Sequence, residues 1–155
     1  MHRIDFYLEL HWAKQRPALE FAVNGHVLEQ NMKILSSDQY EEKAVIKTQI
    51  SDLESINLIN IRFYGKNDQL VTEQSDHWVH IKNIAIDDVF ADAMLINSTF
   101  QHQMPEHWVA EMLTQGHRID SVYKPGTSMR LNGCFSWQFN HPFIQHKLLD
   151  LWSLD

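Results

Sequence analysis

Between Ile56 and Val89 the chain alternates apolar with polar residues, stops at a polar loop, and resumes. Ile59, Ile61 and Phe63 alternate with Asn60, Arg62 and Tyr64, which buries one face of a strand and wets the other. In the second run Val79 and Ile81 share one phase, and Ile84 and Ile86 share the opposite phase. An uncorrected odd step would turn the later pair to solvent, so a β-bulge is predicted near Lys82-Asn83. This double alternation is the pattern of a half-buried sheet, not of a helix.

The same pattern recurs along the chain. Ile4, Phe6, Leu8 and Leu10 alternate with Asp5, Tyr7, Glu9 and His11; Leu19, Phe21 and Val23 alternate with Glu20 and Ala22. Asn24-Gly25 follows, a pair that tolerates the positive φ of a type I′ turn, and predicts a hairpin into His26-Val27-Leu28. Ala44, Ile46, Thr48 and Ile50 supply another strand. Beyond Val89 the expectations are a strand over Met94–Phe100, a helix over 105–115 and a turn at Tyr123-Lys124-Pro125-Gly126. Pro105, Glu106 and Gly116 fit the two ends of that helix. A second hairpin is expected, with Met129 to Leu131 leading through Asn132-Gly133 to Phe135, Trp137 and Phe139. Ile144, Leu148, Leu151 and Trp152, after Pro142, have the spacing of a short C-terminal helix, with an apolar edge strand as the alternative.

Together these elements predict a mainly β fold. The expected architecture is an antiparallel, jelly-roll-like β-sandwich with one or two short helices in the C-terminal third. At 155 residues a single domain over 1–155 is expected, with 104–155 as a C-terminal elaboration packed on it. A chain of this size buries about 70% of its unfolded surface. Five Trp and eight Phe supply the bulk for a core.

Composition narrows the partners. The formal net charge is −7 and no basic cluster stands out, which argues against a nucleic-acid partner. No apolar run approaches the ~20 residues that span a bilayer, so no membrane partner is expected. Cys134 is the only cysteine, which rules out an intrachain disulfide and fits synthesis in a reducing cytoplasm. The N-terminal MHRIDFYLELHW does not read as a signal peptide.

Candidate chemistry is sparse. The loop 66–76 gathers Asn67, Asp68, Glu73 and Asp76. Calcium takes roughly six to eight oxygen ligands and these four can supply some, but the spacing matches no EF-hand loop and the ordinary reading is a solvated connection between strands. Ten histidines are dispersed: His77 and His80 sit an odd step apart on a strand, on opposite faces, and no pair has helical ligand spacing for zinc. Cys134, among aromatics, reads as a small core residue. No base, nucleophile and oxyanion donor are brought together, so no enzyme is predicted. Among the aromatics Tyr7, Tyr64 and Trp78 fall on the polar phase of their strands. They are the candidates for a binding surface, by stacking on sugar or anchoring a protein contact.

Several short segments also carry a resemblance. The Val23-Asn24-Gly25 hairpin, the INIRFYGKND run and the VHIKNIAID strand resemble the calcium-dependent, xylan-binding type of carbohydrate-binding module. With Gly65-Lys66, Asp68, Ile84-Ala85-Ile86-Asp87, Leu131-Asn132-Gly133 and Phe139-Asn140-His141-Pro142-Phe143, the chain also resembles β-sandwich proteins carried by tailed bacteriophages. The resemblance implies a jelly-roll sandwich. It implies a structural protein of a phage particle, made in the host cytoplasm and located in the virion, that contacts itself or other virion proteins. The alternative is a lectin-like module for polysaccharide, with calcium as its cofactor. Here the metal loop carries fewer Asp and Asn than those modules do.

Overall fold

The computed structural model describes residues 1–12, 18–30, 41–65, 78–103, 106–117 and 122–143. Two antiparallel sheets pack face to face. The first has the order β10-β6-β1-β4, with β7 paired to β6; the second has the order β3-β2-β5-β11-β8-β9. The first sheet is built from β1 (His2–His11), β4 (Glu41–Ile50), β6 (Trp78–Ile86), β7 (Val89–Phe90) and β10 (Ser128–Met129). The second is built from β2 (Ala18–Val23), β3 (His26–Gln30), β5 (Ile56–Tyr64), β8 (Thr99–His102), β9 (Val122–Tyr123) and β11 (Gly133–Asn140). The mainly β, antiparallel sandwich expected from the sequence is what forms.

Alternation explains the packing. Ile4, Phe6, Leu8 and Leu10 of β1 face Leu19, Phe21 and Val23 of β2 across the interior, and all are buried. Phe6 and Phe21 meet with ring centroids 4.7 Å apart. Ile59, Ile61 and Phe63 of β5 and Phe135, Trp137 and Phe139 of β11 complete the same core. Burial of these side chains is worth about 25 cal/mol per Å² and is the main force holding the layers together.

The predicted bulge is present. Tyr7 of β1 pairs with Asn83 and Leu8 pairs with Ile81, so Lys82 is the extra residue and both Ile81 and Ile84 stay buried. Asn83 also fastens the bulge: its Oδ1 accepts from the N–H groups of Ile84 and Asp92, each at 2.9 Å. The Asn24-Gly25 hairpin forms with φ of 51° and 80° at the two residues, as a type I′ turn requires. Asn24 then reaches across to β5, accepting from Leu58 N–H at 2.8 Å and donating to Asn57 Oδ1 at 2.9 Å.

Helix α1 (Glu106–Thr114) forms within the predicted span. Gly116, at φ 78°, ends it. Gly116 N–H donates to Leu113 O and His117 N–H to Met112 O, the pairing of a Schellman cap. The C-terminal helix expected around Ile144–Trp152 lies outside the described residues.

Three expectations change. Met94–Phe100 is not one strand: Asp92–Asn97 is a 3-10 turn and β8 begins at Thr99. Local side-chain bonds compete with sheet pairing there, since Ser98 Oγ donates to Leu95 O at 2.6 Å and Asn83 Nδ2 to Asp92 Oδ1 at 2.8 Å. Met129 and Phe135 do not flank a hairpin either. Strand β10 pairs with β6 in the first sheet, and β11 lies between β5 and β8 in the second, so Asn132-Gly133 is a crossover. A Cβ on Gly133 would sit 2.3 Å from Gln101 O, so this glycine serves close backbone approach rather than a turn. Finally, Cys134 is not a core residue. It takes the outer phase of β11, half-buried, with Sγ 3.8 Å from Asn60 Oδ1.

Candidate functional site

The crossing between the sheets at the β9–β10 edge builds a cleft. The segment after β9 leaves the second sheet at Tyr123 and enters the first at Ser128. Gly126 holds it against β8, because its N–H donates to both the carbonyl oxygen and Oγ of buried Ser98, each at 3.0 Å. A Cβ at this glycine would lie 2.2 Å from the carbonyl carbon of Thr99, so only glycine lets the segment come this close. Thr127 O then accepts from Ile81 N–H at 2.7 Å, which ties the segment to β6.

The resulting space is about 490 Å³, lined by Phe100, Tyr123, Lys124, Pro125, Ser128, Arg130 and Leu131. That volume is within the range of small-molecule and sugar sites, roughly 300–1,000 Å³. Tyr123 is 46% exposed, and the imidazole of His102 stacks on its ring with centroids 4.7 Å apart and planes at 19°. One ring face is therefore backed by protein while the side chain stays open to solvent. Lys124 and Arg130 are exposed at the rim, and the described residues lining the cleft include no carboxylate, imidazole or thiol. The described lining residues can stack, donate hydrogen bonds and offer positive charge.

Arg130 joins this cleft to Trp78. Its guanidinium carbon lies 5.3 Å from the centroid of the indole, a cation–π contact. On the same outer face His11 stacks on Trp78 at 3.7 Å, so a neighbouring strand already covers part of the indole. Glu9 accepts from Lys82 at 3.1 Å and lies 3.3 Å from His11. The Lys82 and His11 hydrogen bonds hold the Glu9 carboxyl below its ordinary range. Ser128 Oγ lies 2.9 Å from His80 Nδ1. Burial, aided by the Lys82 charge, holds the His80 imidazole below its ordinary pKa.

The other sequence candidates are placed apart from one another. Tyr7 is on the same outer face as Trp78 and meets Phe90 at 5.4 Å. Tyr64 is on the outer face of the second sheet, with the Arg62 guanidinium carbon 4.4 Å from its ring centroid. Arg62 and Tyr64 border a hollow of about 390 Å³ with Gln101 and Cys134. Asn67, Asp68, Glu73 and Asp76 lie outside the described residues. Among the described residues no group of three or more His, Cys, Asp or Glu is placed to hold a metal ion. Sequence reasoning missed the cleft: Tyr123 to Gly126 reads only as a turn, and nothing in the sequence places Phe100 and Arg130 beside it.

No family model matches the chain, and no curated protein sequence matches it. Two solved structures are similar in strand arrangement. One is vCBM60 in complex with galactobiose, at 9% identity over 85% of this chain and 95% of that one, with a TM-score of 0.48. The other is a selenomethionine form of vCBM60, from work on circular permutation between two families of calcium-dependent carbohydrate binding modules. It is 10% identical over 88% of this chain and 89% of that one, again with a TM-score of 0.48. Likeness at that level does not assign a ligand, which has to follow from this chain's own cleft.

Proposed function

We propose that this chain is a non-catalytic, lectin-like module that binds a polysaccharide in the Tyr123 cleft. The observation that carries the reading is the Tyr123 ring, backed by His102 and left 46% exposed in a cleft rimmed by hydrogen-bond donors. A sugar ring presents an apolar C–H face and an equatorial fringe of hydroxyls. It can place the first on Tyr123, Pro125 and Leu131 and the second toward Lys124, Ser128 and Arg130. Calcium at Asn67, Asp68, Glu73 and Asp76 belongs to the proposal as well, supported by the oxygen-rich composition of that loop.

A glycan array and affinity electrophoresis, run with and without chelator, test both parts. Tyr123→Ala is expected to weaken binding about tenfold, the equivalent of about 1.4 kcal/mol. Retention of full affinity by that variant would remove the cleft from the account. Binding unchanged by chelator would remove calcium.

A self-associating structural role, the other reading, has one supporting observation. Ile56 and Leu58 of β5 lie exposed on the outer face of the second sheet, at 56% and 41%, an apolar pair suited to a subunit contact. Sedimentation at high concentration tests it: a strict monomer would argue against self-assembly.

A further inference from the structure

Ser128 lines the cleft, and its cross-strand partner on β6 is His80. Ser128 Oγ and His80 Nδ1 lie 2.9 Å apart, the separation of a hydrogen bond. A hydroxyl can give or take such a bond, and Nδ1 of a neutral imidazole can do either according to tautomer. Imidazolium leaves no choice: its Nδ1–H donates and the hydroxyl must accept. The direction of this one bond therefore decides what Ser128 offers the cleft. While Ser128 donates to Nδ1, both oxygen lone pairs remain for a ligand hydroxyl. Once it accepts from Nδ1–H, its own hydrogen turns outward and it presents a donor.

Resting on the polysaccharide reading above, we infer that His80 is a positioning residue of the Tyr123 cleft. Neutral His80 accepts from the Ser128 hydroxyl, so Ser128 accepts from a sugar hydroxyl; protonation of His80 reverses that role and weakens binding. A sugar hydroxyl that accepts from the Lys124 ammonium still has its own proton to place, and an accepting Ser128 takes it. His80 is half-buried and borders a hollow of about 260 Å³ with Lys82, Asp92, Pro125 and Thr127. The ring can therefore exchange a proton with solvent on that side while Ser128 faces the ligand. Charged neighbours among the described residues come from each element around His80: Glu9 opposite it on β1, Lys82 on β6 itself, and Asp92, which is bonded to Asn83. His11 and Arg130 lie against the indole of Trp78, on the same face of β6. Burial and the Lys82 charge favour the neutral ring, Glu9 opposes them, and the balance lowers the His80 pKa. Neutral pH thus holds His80 in the form that an accepting Ser128 requires.

The test is calorimetry on the full chain from about pH 7.5 to about pH 5, beside thermal melts that show the protein folded at each pH. The probes are arabinoxylan, galactan, glucomannan and dextran, all neutral, so that the charge gained by His80 does not itself attract them. Affinity for whichever binds best should fall about fivefold on acidification, the worth of one neutral hydrogen bond. His80→Gln should bind with no slope across the range. Ser128→Ala should be about fivefold weaker at neutral pH and also flat, and Ser128→Thr, which keeps the hydroxyl, should keep both affinity and slope. Imidazole nitrogen-15 shifts should show an unprotonated Nδ1 at neutral pH, and saturating glycan should move the His80 titration to lower pH by the reciprocal coupling. A flat parent profile, a protonated Nδ1 at neutral pH, or a slope that survives in His80→Gln and so belongs to His102 or another group would overturn the inference and leave the lectin reading standing. Failure to bind these polymers or any glycan on the array would overturn both.

Discussion

Gly126→Ala is the sharpest perturbation of the cleft's framework. The added methyl would lie 2.2 Å from Thr99 C, 2.4 Å from Thr99 O and 2.5 Å from Phe100 N. All three are backbone atoms of β8, which is hydrogen-bonded to β11 on one side and β9 on the other, so no flexible side chain can swing away. An ordinary contact begins at 3.4 Å, and the deficit is therefore 3.4 − 2.2 = 1.2 Å. A shift of that size separates Gly126 N–H from the Ser98 carbonyl and hydroxyl oxygens, both now at 3.0 Å. Overpacking of this kind costs about 1–3 kcal/mol, and losing a buried hydrogen bond adds about 1 kcal/mol. The sum, about 2–4 kcal/mol, lowers Tm by roughly 5–15 °C in a domain of this size. Gly25→Ala is the matched control. It meets nothing within 4 Å but keeps a φ of 80°, so it should cost only about 1–2 kcal/mol, through backbone strain. Thermal melts followed by circular dichroism compare the two. A Gly126→Ala melt within a degree or two of the parent's would refute the close approach on which the cleft's placement depends.

Other predictions concern the rest of the framework. Asn57 is fully buried; its Oδ1 accepts from Asn24 Nδ2 and Glu54 N–H, and its Nδ2 donates to Glu54 O, all within 2.9 Å. Asn57→Ala should cost about 2–3 kcal/mol in urea unfolding, with an unchanged melt as the contrary outcome. The His80 imidazole has its pKa lowered in the fold by burial and by Lys82, so the unfolded chain binds its proton more readily. Stability should then fall as pH drops below about 6.5 toward the folded-state value, and His80→Gln should flatten that part of the profile. A profile that keeps its full slope in the variant would remove His80 as the cause. Burial pushes the Cys134 thiol up, despite its Ser136 hydrogen bond and the Arg62 charge. Alkylation at neutral pH should therefore be several-fold slower in the folded chain than in urea; equal rates would contradict its half-buried placement.

How much of this was legible in the sequence follows from what kind of contact each feature depends on. Strands β1, β2, β4, β5 and β6 each bury one face, so their own side chains record the period. The Lys82 bulge was readable for the same reason, as a phase error between Ile81 and Ile84. Asn24-Gly25 was readable because its turn is decided by two residues' own φ preferences. Asn132-Gly133 has the same chemistry but a different role, since the approach of Gln101 comes from a strand some thirty residues earlier in the chain and leaves no local trace. The turn at Asp87-Asp88, with φ of 47° and 68°, carries no glycine to announce it. Its support is tertiary: Arg3 N–H donates to Asp87 Oδ1 and His2 lies against Oδ2, each at 2.7 Å. Strand phase correctly put Trp78 on an outer face, but it could not show that His11 from the adjacent strand would stack on it. The cleft was the least legible feature, because Phe100, Tyr123 and Arg130 meet only when the chain crosses between the sheets.

Backbone chemical-shift mapping tests the central claim most directly, because it needs no substitution and reports on every described surface at once. The protein labelled with nitrogen-15 would be titrated with an oligosaccharide of whichever polysaccharide binds best. Perturbations are expected at Val122–Leu131 and at Phe100–His102 of β8, with smaller ones at Trp78 and His80. Shifts gathered instead around Arg62, Tyr64 and Cys134, or confined to residues 66–77, would place the ligand away from Tyr123 and contradict the account.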